Sequence, residues 1–352
     1  MGLRQRRKRY RSGTARIDPL VVMQSFTSVS DQSNPFVHLL DRSLPSNVVS
    51  MPFSWRYALR GGYDVFHVHW PEAMVRRRGR FASEARCIVL FAVLLRIWIC
   101  GIPIVRTVHN VSPHEKSASL TEGLAFKWID AMCFDYIDLN GAVGVDSLRG
   151  NIHTILHGHY RDWYAGQHLQ IDRCDHVPNR ILFFGLIRPY KNVLGLIKAF
   201  REIDDEDLEL RVAGGIDDDS LKGDITLAAA QDSRVSLAFG YLTDVEVVKE
   251  AQNARLIVLP YSTLFNSGVA LLALSLGTPI LLPAGAVADS MVKEFGSVWI
   301  SQFNPPLTSE AINSARSKGI PKQRVTFGVE REWDFIGRRH SEVYISAVER
   351  RA

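Results

Sequence analysis

The stretch Ile181–Phe200, ILFFGLIRPYKNVLGLIKAF, constrains the fold of this chain more than any other. Its apolar run, Ile181–Phe184, is short enough for a strand buried on both faces, and Gly185 ends it. Arg188 and Lys191 stand in a short turn around Pro189. Leu194, Ile197, Ala199 and Phe200 then recur at helical spacing, with Lys198 on another face. Strand, basic turn and helix in succession make one βα unit of a parallel sheet. The N–H groups and dipole at such a helix start attract anions, and two cations add charge at close range. Gly185, Arg188 and Lys191 are therefore candidates to hold a diphosphate. An ordinary strand-to-helix connection with solvated cations has the same pattern, and this turn alone does not separate the two.

The βα pattern repeats along the chain. Strands are expected over 19–26, 48–53, 63–70, 103–108, 136–140 and 153–156, with helices over 36–44, 83–99 and 119–133 and a helix start at 145–150. The stretch 161–179 is polar and aperiodic and reads as a linker. A second series follows, with strands over 181–184, 208–213, 235–239, 255–259 and 279–282 and helices over 193–203, 219–231, 244–253 and 267–276. This alternation predicts an α/β protein of two tandem doubly wound domains, whose strand carboxyl ends face each other across a cleft. The expected units are a basic arm at 1–17, a first domain at 18–170, a second at 171–328 and a C-terminal helix within 329–352.

Several classes are excluded or bounded. Cys87, Cys100, Cys133 and Cys174 are scattered without a Cys-x-x-Cys pair, which argues against a disulfide framework or a thiolate metal site. The longest apolar run, Cys87–Cys100, is interrupted by Arg96 and too short to span a bilayer, so a buried helix is expected. No apolar segment promptly follows the basic start, so a signal peptide is not expected. No Walker loop or dinucleotide fingerprint is present. Charge is uneven: MGLRQRRKRYRSGTAR has seven cations and no acid, and Arg76, Arg77, Arg78 and Arg80 cluster in the same half. A solvated tail or a nucleic-acid footprint fits such a pattern, but recurrence in one domain favours an anionic membrane surface as the partner, with no nucleic acid.

Four further motifs stand out. In YDVFHVHWPE, His67 and His69 are two apart and share one side of a strand that ends at Trp70 and Pro71. Without a third ligand at local spacing they suit substrate contact or structural hydrogen bonding better than a metal. VRTVHNVSPHEK puts His109, His114 and Glu115 beyond a strand end, and transfer to a hydroxyl needs a base of such a type. TILHGHYRDWY brings His157 and Arg161 around Gly158, for substrate contact, phosphate or hinge duty, or a plain interdomain turn. In VLPYSTLFNSGVALLALSLGTPIL, Tyr261, Asn266, Ser267 and Gly268 precede or open a helix, a second anion cradle.

These motifs carry a resemblance. FFGLIRPYKN…LIKAF resembles the segment that starts the donor domain of GT-B glycosyltransferases of family 4 and its relatives, and Gly185 and Lys191 match the turn that grips the donor diphosphate there. Leu186 stands where Arg is frequent, and Arg188 is the substitute. YDVFHVHWPE with TVHN…PHE is similar to bacterial exopolysaccharide glycosyltransferases, including inverting β-mannosyltransferases of xanthan-type assembly. Retaining family members carry two Glu, eight positions apart, where this chain has Leu264 and Leu272. The resemblance implies a Rossmann-like GT-B pair with a nucleoside diphosphate sugar donor, possibly GDP-mannose, and a lipid-linked glycan acceptor in the first domain. It implies inversion, no cofactor or metal, closure of the two domains, and work at the cytoplasmic face of the membrane. His109, His114 or Glu115 would be the base; if His109 orients the donor sugar, Glu115 takes that role. His67, His69, Trp70, His157 and Arg161 would lie on the acceptor side, and the last helix would cross back to the first domain. A retaining family 4-like enzyme and a degenerate glycan-binding protein are the alternatives.

Overall fold

The computed structural model describes residues 18–26, 34–77, 79–109, 119–141, 148–166, 179–262, 264–265 and 268–351. The chain divides into two compact units, one of residues 1–158 with 329–352 and one of residues 159–328. The first unit therefore ends at Gly158, ahead of the expected linker. Within that linker Arg161–Gly166 is a helix of the second unit, because its side chains have partners there: Trp163 Nε1 donates to Asp244 Oδ2 at 3.0 Å and Arg161 to the Val325 carbonyl at 2.6 Å.

In the first unit six parallel strands run β1 (Leu20–Gln24), β2 (Val48–Met51), β3 (Val65–Val68), β4 (Ile104–Val108), β5 (Cys133–Asp138) and β6 (Asn151–Thr154), in the order β2-β1-β3-β4-β5-β6. Most of their Val and Ile side chains are covered, as a sheet with helices on both faces requires, with Val49 on β2 and Ile152 on β6 exposed. Chain direction along the sheet reverses between β1 and β3, so their carboxyl ends, at Gln24 and Val68, open the crevice where doubly wound sheets hold ligands. Leu148–Gly150 form bends rather than the expected helix start.

The C-terminal helix, Trp333–Glu349, belongs to this unit. It crosses the helix Pro35–Ser43 so closely that a Cβ on Gly337 would lie 1.9 Å from the Ser43 carbonyl oxygen. Only glycine permits that crossing. The helix thereby buries His340 and Tyr344 against the sheet, and its end is tied down by Arg350 on Asp135, which also accepts from His153 at 2.9 Å.

The helix Arg80–Cys100 corrects one expectation. It buries one face, through Cys87, Leu90, Val93, Leu94 and Ile97, while Ile88, Leu95, Trp98 and Ile99 are exposed. A helix apolar on all sides leaves burial to be decided by its neighbours alone. No helix among the described residues is long and apolar enough to cross a membrane.

The second unit repeats the design with β7 (Arg180–Phe184), β8 (Glu209–Gly214), β9 (Val235–Phe239), β10 (Leu256–Val258), β11 (Ile280–Pro283) and β12 (Ile300–Phe303), ordered β12-β11-β10-β7-β8-β9. All registered pairs are parallel, and direction reverses between β7 and β10. The connecting helices start on side-chain caps: Asp218 accepts from Leu221 N, and Thr243 with Glu246 forms a reciprocal capping box.

Candidate active site

In the second unit the basic turn sits at the crevice between β7 and β10. Gly185 leaves β7 at φ +108, its N–H donating to Ala213 at 3.0 Å, and Ile187 N–H donates to Gly215 at 2.7 Å. The turn therefore runs flush along the end of β8. A Cβ on Gly214 would fall 2.0 Å from the Gly185 carbonyl oxygen, so both strand ends need glycine here. A 3₁₀ turn, Pro189–Lys191, follows and passes through left-handed Asn192 into the helix Val193–Arg201.

This geometry turns Lys191 inward, where only 7% of it is exposed. Its ammonium lies 5.4 Å from the centroid of the Tyr261 ring, which Tyr190 braces edge-on at 5.9 Å. Among the described residues no carboxylate lies within ion-pairing distance of it. Burial, reinforced by Arg188, lowers its pKa to about 8. A buried cation facing an aromatic ring without an acid partner is primed for an anion from solution. Arg188 is more exposed and meets Asp217 at 3.2 Å, a pair that a diphosphate can displace at little cost. Gly268 opens the helix Gly268–Ser275; Asn266 and Ser267 lie outside the described residues.

In the first unit the corresponding crevice holds imidazoles. His69 Nε2 is 3.1 Å from Gln24 Oε1, and its Nδ1 is 3.3 Å from His109 Nε2. With the Gln24 oxygen turned to His69, that oxygen accepts, so in this orientation His69 Nε2 carries the hydrogen and Nδ1 holds the lone pair. His109 then donates through Nε2, which leaves its own lone pair on Nδ1. Backbone and rings fix this chain: His69 N–H donates to Ser25 Oγ at 2.8 Å, and Trp70 stacks on His109 at 4.0 Å and 22°. Burial lowers His69 to about 3. Burial also holds half-buried His109 well below the usual imidazole value, with smaller contributions from His69, His157, Arg106 and His340. At neutral pH His109 is thus an uncharged acceptor at the end of β4.

The chain is similar in sequence to glycosyltransferases. A model of "Glycosyl transferases group 1" matches residues 170–328. The GDP-mannose:glycolipid 4-β-D-mannosyltransferase of Xanthomonas campestris pv. campestris is 34% identical over 333 residues, which cover 94% of this chain and 93% of that protein. The chain belongs to the group 1 glycosyl transferases. Solved structures agree on the fold: sucrose-phosphate synthase of Thermosynechococcus elongatus superposes with a TM-score of 0.58 at 14% identity, covering 93% of this chain and 94% of the other. Anabaena HepE in complex with UDP-glucose does so with a TM-score of 0.57 at 13% identity, covering 94% and 98%. The architecture is that of GT-B enzymes.

Several of the residues expected to serve this glycosyltransferase are placed otherwise. His67 is fully buried, with Nε2 2.8 Å from Thr107 Oγ1 and Nδ1 2.7 Å from Tyr344 Oη, so both nitrogens are spent on packing the sheet against the last helix. His157 is buried among Phe36 and Trp333, its Nδ1 2.8 Å from the Gly158 carbonyl. Arg161 belongs to the second unit rather than the acceptor domain, its guanidinium on the Val325 carbonyl and 5.1 Å from the Phe327 ring centroid. Trp70 gives one ring face to His109. His114 and Glu115 lie outside the described residues. The structure adds Gln24, Ser25 and Phe36, which motif reading passed over. A polar Gln closing the run LVVM was the available signal, since polar residues at a strand's carboxyl end face the crevice.

Proposed function

We propose that this glycosyltransferase moves mannose from GDP-mannose to a lipid-linked saccharide, with inversion at the anomeric carbon, in the synthesis of an exopolysaccharide or cell-surface glycan. The observation that carries the donor side is Lys191, buried beside Tyr261 with no described carboxylate to neutralise it. The Xanthomonas relative supports the choice of GDP-mannose and a glycolipid. Work at the cytoplasmic face of a membrane, on an anionic surface, follows from an acceptor of that kind and from the basic character of the first half of the chain.

The acceptor hydroxyl loses its proton to a base as its oxygen bonds the anomeric carbon, and the bond from that carbon to the diphosphate breaks. GDP leaves with the electron pair, stabilised by Lys191, Arg188 and the helix start at Gly268. These cations supply the charge that a metal supplies in other transferases, so no metal is required. His109 is the described candidate for the base, its Nε2 in contact with His69 and His69 in contact with Gln24. Inversion is supported by Leu264 and Leu272 in the segment between β10 and β11, which has no Asp or Glu.

The test is release of GDP from GDP-mannose by the purified chain, with and without a bacterial lipid extract and with and without EDTA. Lipid-dependent, EDTA-insensitive release with mannose appearing in the lipid fraction is expected. Equal release from UDP-sugars, or mannose appearing only as the free sugar, overturns it.

A further inference from the structure

The helix Arg80–Cys100 presents an outward stripe of Phe81, Ala85, Ile88, Ala92, Leu95 and Ile99. Their spacing of four and three residues keeps them within one narrow face over about 27 Å of helix. Every one is exposed, Phe81 to 91%, and no charged residue interrupts them. The neighbouring helix, Leu120–Met132, adds Leu120 at 88% and Leu124 at 58% exposure. Opposite faces of such helices are ordinarily polar, so a continuous apolar surface of this length marks a contact with something apolar.

The surrounding charge says what covers it. Arg77, Arg80 and Lys127 are exposed around this surface, and none has a described carboxylate within ion-pairing distance. Of the nearby acids, Glu122 pairs with Arg76 at 2.7 Å and Asp130 with Arg106, while Glu84 accepts from Thr121 and keeps its charge in the field of Arg80. Among the described residues the surface therefore offers apolar side chains and an excess of cations, Arg77, Arg80 and Lys127 against Glu84. A second copy of this chain meeting this face with its own would bring the same excess of cations to it. A bilayer with anionic headgroups supplies both complements, acyl chains for the stripe and phosphates for the cations.

We propose that this face docks on an anionic bilayer, with the helix Arg80–Cys100 lying in the interfacial plane and Ile88, Leu95 and Ile99 reaching the acyl boundary. This rests on the reading of the acceptor as lipid-linked and gives the first unit the surface that meets it. The cation cluster positions the helix end at headgroup depth, and the stripe, rather than charge alone, holds it there.

Co-sedimentation of the full chain with vesicles of phosphatidylglycerol and phosphatidylcholine in equal parts tests this. The variant Ile88→Glu with Leu95→Glu is expected to lose at least about tenfold in vesicle partition at low and high salt, from the apolar area withdrawn. Arg77→Gln with Arg80→Gln and Lys127→Gln is expected to lose binding to the anionic vesicles while its weak binding to pure phosphatidylcholine is unchanged. The changed side chains point to solvent, so unchanged thermal unfolding of each variant is expected. Turnover of a detergent-dispersed acceptor should be retained, which separates loss of docking from failure of the mannosyltransferase reading. Partition of the glutamate variant equal to that of the parent would assign binding to charge elsewhere and overturn the proposal. Vesicle binding absent in the parent would do the same, as would a dimer in sedimentation velocity that the glutamate substitutions dissociate without altering partition.

Discussion

His69 and His109 are joined by a contact of 3.3 Å between Nδ1 of the first and Nε2 of the second. The two rings come from different strands, and each is useful to the other only in one tautomer. Gln24 selects that tautomer from the far side of His69. Gln24→Leu should therefore free His69 to carry its hydrogen on Nδ1 and turn His109 around, lowering kcat by about 10–100-fold with little change in KM for the donor. Gln24→Glu keeps an acceptor and should retain turnover at pH 8. Its carboxylate favours the protonated imidazole pair, so the acid limb of kcat should rise from far below the usual histidine range by roughly 1–3 pH units. A pH–rate profile is the check. A Gln24→Glu limb that stays in place, with only a lower melting temperature, would reduce Gln24 to packing.

Lys191 should be the larger contributor to donor affinity. Lys191→Ala is expected to weaken binding of GDP by about 1.5–3 kcal/mol, the range for hydrogen bonds to charged groups. Its pKa, lowered to about 8, also predicts a pH dependence. Affinity for GDP should decline as pH rises through that value, because the ammonium that attracts the diphosphate is lost. Stability of the free protein should change in the other sense. Between about 8 and the ordinary 10.5, the unfolded lysine holds a proton that the folded one has released, so this group's contribution to stability rises with pH. Calorimetric titration at several pH values measures the first and denaturant unfolding the second. A GDP affinity flat across that window would place the diphosphate away from Lys191.

The stereochemistry of the product is open to direct measurement. With Leu264 and Leu272 in place of acids, no carboxylate of that segment can stand beside the anomeric carbon on the donor side. An α-linked GDP-mannose should yield a β-linked mannoside. The one-bond carbon–proton coupling at the anomeric position, read by NMR of the product, reports the linkage, and an α-linkage would refute the single-displacement route.

Two glycines of the second unit should respond in opposite ways to the same change. A Cβ on Gly214 meets the Gly185 carbonyl oxygen at 2.0 Å, and its φ of +150 is one that side chains rarely adopt. Gly214→Ala should cost about 2–4 kcal/mol and open the turn that carries Lys191. Gly223, inside the helix Asp219–Ala229, has nothing within 4 Å of an added Cβ. Gly223→Ala should stabilise by about 0.5–1 kcal/mol through helix propensity. Chemical denaturation of both variants decides.

The sequence by itself determined the run of βα units and the basic turn. Strands such as Ile181–Phe184 and helices such as Val193–Arg201 follow from spacing and turn residues, which act within a few positions along the chain. Most expected boundaries shift only by the residues that fray or cap an end, as at Val65–Val68. The candidate site in the first unit is different, because Gln24, His69 and His109 converge from three strands and His340 and Tyr344 arrive from the end of the chain. No local signal says that His67 is spent on Tyr344 while His69 reaches His109, since that depends on how the last helix crosses the sheet at Gly337. Tertiary structure likewise decided the outward stripe of Arg80–Cys100. Where a helix is apolar on every side, periodicity cannot choose a buried face, and only the packing of its neighbours exposes Ile88 and Leu95 while covering Leu90 and Leu94.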